Sequence, residues 1–402
     1  MGDIRRLLKR NSKPEAKTEY HFQAPAVSAD KVQLVDKTSG LSFVGLWWFL
    51  VLGLTGLAFL MRRKGLATQS LWFDETDLVS RASQDLPAIL KSFFKPGENG
   101  PLYTLFMHFW VQFAGTGEAA VRTPSLIAGT LAVPLIFLVG RKLGGLAVGL
   151  VAALLLTVSP YHLWYSQDAK MYPLALCMTL ASVYLFLRGF ESNKKGWWFA
   201  YVIITTLGFY IHLMTALIVG VELVYFLAQS LRLHPRTWNL KPETRKLALI
   251  SLGLLTLPYL PIALWQLVAL RDGTVGNGWF QPVGLLEMLN TLGRRFGVNR
   301  SLEPWETIGA LTFAGLAGLG LVVVWLGLGQ RFRVSRPVAL FLTIYLVLPI
   351  LAFYGLTTRL PLFADRYLLI ASPAYYLLVA CGLVWLGQRF WPCARATRLR
   401  SP

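Results

Sequence analysis

LSFVGLWWFLVLGLTGLAFLMRRKGLATQSLWFDETDLVS, residues 41–80, carries the reading of the whole chain. Residues 41–61 hold no charge. At 1.5 Å per residue such a run is about 30 Å long as a helix, the thickness of a bilayer's hydrocarbon core. Arg62, Arg63 and Lys64 close the run, and ten residues further on three carboxylates, Asp74, Glu75 and Asp77, follow in one short loop. A membrane span that delivers clustered acids to the water boundary calls for a reason.

The rest of the chain repeats the first run. Uncharged stretches near 41–61, 123–140, 145–165, 171–187, 196–230, 247–270, 307–330, 337–358 and 367–388 give ten candidate spans, because 196–230 is long enough for two. With 55% hydrophobic and 15% charged residues, the chain is an all-α polytopic membrane protein and no soluble globule. The net charge of +19 does not point to nucleic acid, because most Lys and Arg lie between spans or at the termini. Of the three cysteines, Cys177 and Cys381 fall inside apolar runs and Cys393 in the basic tail, with no metal spacing and no disulfide framework. The first forty residues are polar and basic and show no cleavable signal pattern. The expected organisation is therefore a disordered cytoplasmic arm (1–40), one membrane body (41–390) and a basic cytoplasmic tail (391–402).

Basic short loops fix the orientation, since Lys and Arg accumulate on the cytoplasmic side. With the arm inside, GRKLGG, ESNKKG, RLHPRTWNLKPETRK, QRFRVSRP and RFWPCARATRLR all fall inside, and only MRRKG at 61–65 falls outside. This requires that GPLYTLFMHFWVQFAG, 100–115, not cross. Sixteen residues make about 24 Å, short of the core. The preceding DLVSRASQDLPAILKSFF aligns Leu78, Val79, Ala82, Leu86, Ile89, Leu90 and Phe93 on one face, as an interfacial helix kinked at Pro87. Residues 72–120 thus form an outer loop of two juxtamembrane helices. Residues 271–306 form a second outer loop, amphipathic over 285–296.

Under this topology YHLWYSQDAKMY, 161–172, brings Asp168 and Lys170 to the same face as Asp74 and Glu75. Here the sequence resembles the GT-C glycosyltransferases that use polyprenyl-phosphate sugars, in the branch of the protein O-mannosyltransferases and lipid A aminoarabinose transferases. FDE (73–75), ENGPLY with HFWVQFAGTGEAAVRTPS (98–125), VSPYHLWYSQDAKMY (158–172) and ADRYLLIASPAYYLL (364–378) carry the likeness. It is densest over Leu71 to Phe190. The chain departs from the family at Asn99–Pro101, where two prolines and a histidine are usual, and at Lys170, where arginine is usual.

The resemblance implies transfer of a sugar from a polyprenyl-phosphate donor to a hydroxyl on a lipid, glycan or protein, by an integral protein of the cell membrane acting on the extracytoplasmic face. Such chemistry needs a base for the attacking hydroxyl and cations for the departing phosphate. Asp74 is the expected base, with Glu75 beside it for sugar or acceptor hydroxyls and Asp168 as the second acid. The same two loop acids also suit a helix N-terminus, where a carboxylate caps free amides. Arg366 is the expected phosphate ligand, its planar fork matching phosphate oxygens, with Lys170 near it and Arg294 and Arg295 as competitors. Tyr103, Tyr172 and Tyr367 are expected in the substrate pocket. No cofactor motif is present, although the resemblance allows a divalent cation between Glu98 and His212. Asp77 and Asp85 read as solvated. Glu222, mid-span, calls for a buried partner such as a tyrosine. A carrier of lipid-linked sugars would place more charges within its spans, and a noncatalytic scaffold would need neither acid.

Overall fold

The computed structural model describes residues 39–95, 98–231, 241–272, 281–299, 303–328 and 336–390. The expected tail, and the expected arm apart from its last two residues, lie outside them. The chain divides into Met1–Trp47 and Trp48–Pro402. The first unit contributes the start of α1 and the second everything considered below.

Fifteen α-helices are described. α1 (Ser39–Arg63) leads into a short α2 (Phe73–Ala82), α3 (Leu86–Ser92) and α4 (Pro101–Ala114). α5 (Glu118–Gly144) turns tightly into α6 (Leu146–Val158) and α7 (Pro160–Ser166), followed by α8 (Tyr172–Ser192), α9 (Lys195–Ile211) and α10 (Ala216–Ser230). α11 (Pro242–Arg271), α12 (Leu285–Gly297), α13 (Trp305–Leu326) and α14 (Arg336–Thr357) lead to a 3-10 segment, Asp365–Ala371, that runs directly into α15 (Ser372–Phe390). Seven of the described helical segments are long and apolar enough to cross a membrane, or eight if the bent pair α6–α7 counts as one. The chain is an integral, multi-pass protein.

α15 is the axis of the body: its residues from Ser372 to Gly382 are all buried. It packs most extensively on α13 and α6, while α5 packs on α6 and α8. At the α13–α15 crossing, Gly320 and Gly382 let backbones meet, for a Cβ at Gly320 would fall on the Leu378 carbonyl and one at Gly382 on the Leu316 carbonyl. Contact this close between helices favours small residues, as is common in membranes.

Seven or eight of the ten expected spans are found by length and composition among the described residues. α9, with 17 residues, makes about 25 Å of helix. Two expectations need correction. The run 145–165 is no straight span: it bends by 59° between Val158 and Pro160, where Pro160 has no amide to continue the ladder and Ser159 caps α7 by accepting from the His162 amide. The segment 78–93 is no single kinked helix either. α2 ends at Ala82 and α3 starts at Leu86, with Pro87 in its first turn, the place where a missing amide costs nothing.

The juxtamembrane layer is built on α4. Tyr103, Met107 and Val111 face inward against Leu78 and Ala82 of α2, Val121 and Ala169, while Phe109 and Phe113 stay exposed. The amphipathic stretch expected at 285–296 is helix α12, with Met288, Leu292 and Phe296 buried.

Candidate active site

Two buried arginines organise the end of the body that carries the acids. Arg62 has no exposure and donates to Ser166 Oγ (3.1 Å) and to the carbonyls of Ala58, Thr157 and Leu156 (3.1–3.3 Å). It therefore ties the end of α1 to the α6–α7 bend. Of the three cations in the one basic loop that falls outside in the expected topology, Arg62 is thus sealed, while Arg63 and Lys64 are exposed. Arg122, at the start of α5, uses all five of its N–H groups. Its Nε and Nη2 grip the Glu75 carboxylate at 2.8 and 2.6 Å, and the others reach the carbonyls of Leu66, Gln69 and Ser70. Glu75 in turn accepts from the amides of Ala169 (2.8 Å) and Trp72 (3.3 Å), which occupies the four sites a carboxylate offers. Burial would raise the Glu75 pKa, but the Arg122 hydrogen bonds, the amides and the guanidinium charge hold it below the usual range.

This lattice fixes the loop between α7 and α8. Gln167 donates to the carbonyls of Arg62 and Lys64, Ala169 donates to Glu75, and the Lys170 carbonyl accepts from Ser125. Asp168 and Lys170 are thereby held where two cavities meet. Asp168 is 6% exposed and accepts from the Trp72 indole at 3.0 Å. Burial raises its pKa to about 6, against the pull of Trp72, Lys170 and Arg366. Burial likewise lowers the Lys170 pKa, although Asp74 and Asp168 oppose the shift.

A cavity of about 760 Å³ opens on the other side of Trp72. Asp74, Lys170, Arg366, Tyr103, Tyr172 and Tyr367 all line it. Asp74 Oδ2 lies 3.4 Å from Arg366 Nη2 and 4.0 Å from Lys170 Nζ, each group partly exposed. The Arg366 guanidinium sits 5.8–5.9 Å from the ring centres of Trp72, Tyr172 and Tyr367, an aromatic cage of cation–π contacts. A second cavity of about 520 Å³ lies against the same Trp72 and Arg366 and is lined also by Asp168, Asp365, Gln167 and Trp164.

The structure thus brings together Asp74, Asp168, Lys170, Arg366 and the three tyrosines. It sets others apart. Glu75 lines the second cavity, but its oxygens are already held by Arg122 and the amides of Trp72 and Ala169. Arg294 pairs with Glu303 (2.8 Å) and Glu306 (3.6 Å), and Arg295 pairs with Asp365 (3.2 Å), so both already have carboxylates. Glu98 lines the first cavity but is held by Arg81 (2.8 Å) and Lys95 (3.8 Å). His212 is buried between the rings of Tyr172 and Tyr367, accepts from the Met214 amide, and has its pKa lowered by burial to about 3. Among the described residues no three of His, Cys, Asp or Glu come together. With one of two donors already ion-paired, the set does not fit a protein-held divalent cation. Glu222 accepts from Tyr201 (2.6 Å) and Ser182 (3.0 Å), the buried partnership its mid-span position called for.

Sequence reasoning missed Trp72, Arg122 and Asp365. Arg122 was detectable as a lone cation heading an apolar helix, which must find a partner. Asp365 directly precedes Arg366 and accepts from Tyr165 (3.3 Å) while pairing with Arg295, so it anchors the segment that delivers Arg366. Trp72 carried no signal before its partners were known.

Acids from α2 and from the α7–α8 loop lie beside a caged arginine at the head of the last span, on a helical membrane body whose likeness to solved structures shows a GT-C fold. A family model described as dolichyl-phosphate-mannose-protein mannosyltransferase matches residues 96–265. Among solved structures, ArnT from Cupriavidus metallidurans bound to undecaprenyl phosphate is similar with a TM-score of 0.55 at 17% identity, covering 87% of this chain and 62% of that one. An oligosaccharyltransferase of Archaeoglobus fulgidus tethered to an acceptor peptide gives a TM-score of 0.53 at 12% identity, over 87% of this chain and 50% of that one. The AglB oligosaccharyltransferase of the same organism, in complex with an inhibitory peptide and a dolichol-phosphate, gives 0.50 at 14% identity. The chain therefore spans between half and two thirds of the length of these structures. No curated protein sequence matches it significantly.

Proposed function

We propose that this protein transfers a sugar from a polyprenyl-phosphate donor to a hydroxyl-bearing acceptor on the extracytoplasmic face of the membrane, with inversion at the anomeric carbon. The observation that carries the reading is the triad of Asp74, Lys170 and Arg366 on one cavity wall. Two cations that converge on one partly exposed carboxylate are also arranged to hold a phosphate. Arg366 presents a fork suited to two phosphate oxygens, and Lys170 adds a point charge.

When the donor phosphate takes these cations, the Asp74 carboxylate is released from them beside the sugar. The acceptor oxygen then bonds to the anomeric carbon as its proton passes to Asp74. The bond from that carbon to the phosphate oxygen breaks, and its electron pair leaves with the phosphate, which Arg366 and Lys170 stabilise. Asp168 is a positioning residue for Trp72 and, through it, for the Arg366 cage. A carrier is not favoured, because the mid-span acid Glu222 is buried and held by Ser182 and Tyr201.

Purified protein given a radiolabelled polyprenyl-phosphate sugar and a membrane extract as acceptor source tests the reading. Asp74→Asn keeps size and hydrogen bonding but cannot take the proton, and loss of a general base costs about 10²- to 10⁴-fold in rate. Arg366→Ala weakens apparent donor affinity, and Arg366→Lys restores only part of it. Full activity of Asp74→Asn removes the mechanism.

A further inference from the structure

The cavity of about 760 Å³ carries two sets of charged residues. Asp74, Lys170 and Arg366 are tied to one another, and Asp77, Arg81 and Glu98 are tied by ion pairs of their own. No ion pair joins the two sets among the described residues. The transfer chemistry accounts for the first set. The second set, with Asn99 beside it, has no part in that chemistry although it lines the same cavity.

Glu98 to Gly100 is a built wall. Gln266 of α11 donates to the Glu98 carbonyl (3.3 Å), and the Leu213 amide donates to Asn99 Oδ1 (3.0 Å). The Ile211 carbonyl lies so close to Gly100 that a Cβ there would come within 2.8 Å of it. Gly100 also holds φ +77°, where a proline, fixed near φ −65°, could not follow the chain. His212, next to Leu213, packs against Tyr172, one ring of the Arg366 cage. Asn99 is therefore tethered to the turn that backs the cage. That tether also orients its amide. The atom facing the Leu213 N–H is the oxygen, because only an acceptor can receive that hydrogen. The NH2 group is left with no acceptor among the described residues, on a side chain that lines the cavity. Beside it the Glu98 side chain is 12% exposed and takes Arg81 (2.8 Å) and Lys95 (3.8 Å), which leaves it lone pairs for a further donor.

We propose that Asn99 is a specificity-determining residue that reads the transferred sugar, and that this sugar is neutral. The Asn99 NH2 donates to one ring hydroxyl while the Glu98 carboxylate accepts from the neighbouring hydroxyl. This rests on the transferase reading and names its class of sugar. A donor and an acceptor on consecutive residues match a vicinal diol, each hydroxyl of which can donate and accept. A sugar carboxylate would face Asp77 and Glu98, two carboxylates that share Arg81. A sugar ammonium would find the Glu98 charge already matched by Arg81 and Lys95.

Binding to the full chain in detergent is measured for bare polyprenyl phosphate and for its glucosyl, mannosyl, galactosyl, glucosaminyl and glucuronosyl forms. At least one neutral hexose form binds wild type about tenfold more tightly than the bare lipid, and the charged sugars gain less. Asn99→Asp keeps an oxygen for the Leu213 amide but replaces the donor by an acceptor. It melts like wild type, and the ratio of hexose form to bare lipid falls by roughly 2- to 12-fold, the worth of one neutral hydrogen bond. The ratio is the readout because the added charge acts alike on both phosphates. Asn99→Ala lowers the ratio as well, yet holds bare polyprenyl phosphate within about twofold of wild type. One monodeoxy form of the preferred hexose binds wild type more weakly by a similar factor and loses nothing further in Asn99→Asp. A wild-type ratio near one, a ratio that survives Asn99→Asp, equal weakening of both lipids in Asn99→Ala, or a larger gain for a charged sugar each overturns the proposal. If transfer requires Asp74 while the ratio ignores Asn99, this inference fails alone. If Asp74→Asn transfers like wild type while the ratio still depends on Asn99, the transferase reading fails and the wall stands as a sugar-lipid recognition site.

Discussion

Asp74 and Glu75 are neighbours in the first turn of α2, yet Glu75 is sealed, with four donors on its two oxygens, while Asp74 lines a cavity with side-chain exposure of 24% and two cations at 3.4 and 4.0 Å. Successive residues on a helix point about 100° apart, so one turn can send one acid into the body and the next into the cavity. The difference is energetic as well as geometric. A partly exposed ion pair contributes little, of order 0–1 kcal/mol, so Asp74 can exchange its cations for a phosphate at small cost. Removing one member of a buried, fully hydrogen-bonded pair leaves an uncompensated charge and costs about 3–5 kcal/mol. Glu75 holds the frame, and Asp74 is free to react.

The sharpest way to break this contrast is to exchange the readouts. Arg122→Ala or Glu75→Ala is expected to destabilise the protein by about 3–5 kcal/mol, measured as a loss of thermal stability in detergent. Asp74→Asn is expected to melt within about 1 kcal/mol of wild type while losing turnover. If Glu75→Ala is as stable as wild type and only activity falls, the roles assigned to the two acids are reversed.

The sequence made one half of this contrast visible. The FDE and SQDAKMY stretches, with ADRYLL, mark Asp74, Asp168, Lys170 and Arg366, and their convergence follows from placing three loops on one face. The other half was invisible because the partner of Glu75 is Arg122, 47 residues away and inside a different helix. Nothing local separates a capping acid from a catalytic one, and Glu75 does reach back to the Trp72 amide as a helix cap would. The role of Arg62 was hidden for the same reason. In a count of loop charges it weighs as much as Arg63, and only its four hydrogen bonds remove it. The bend at Ser159 was hidden because an apolar run reads the same straight or broken.

A smaller effect sharpens the role of Asp168. Its burial raises the carboxyl pKa to about 6, so the group protonates as pH falls through 6, while an exposed aspartate stays charged. A raised folded-state pKa means the native state binds this proton more readily than the unfolded chain. The group therefore adds stability as pH falls from about 6 toward 4 and costs stability above 6. Activity has the opposite sign if the ionised form is what holds Trp72 beside Arg366. The rate is expected to fall up to about tenfold per unit below pH 6 while the melting temperature does not fall for this reason. In Asp168→Asn the amide oxygen still accepts from the indole, so that acidic limb is expected to vanish from the rate profile. A limb that survives in Asp168→Asn belongs to another group.

The smallest expected effect belongs to Asp77, which lies three residues after Asp74 in the same helix and lines the same cavity. Position alone would make it a rival base. Its partner decides otherwise: the carboxylate pairs with Arg81 at 3.0 Å, one turn along, with both side chains more than 40% exposed. An exposed i,i+4 pair of this kind is worth roughly 0.3–0.5 kcal/mol. Arg81 also holds Glu98 at 2.8 Å, so it keeps a carboxylate when Asp77 is neutralised. Neither cation of the Asp74 cluster touches Asp77 within ion-pair distance. Asp77→Asn is therefore expected to change the initial rate at saturating donor by less than about twofold and stability by less than about 0.5 kcal/mol. A loss as large as that of Asp74→Asn would mean that the reacting hydroxyl sits deeper along α2, toward Arg81 and Glu98, and that Asp74 serves only to hold Arg366.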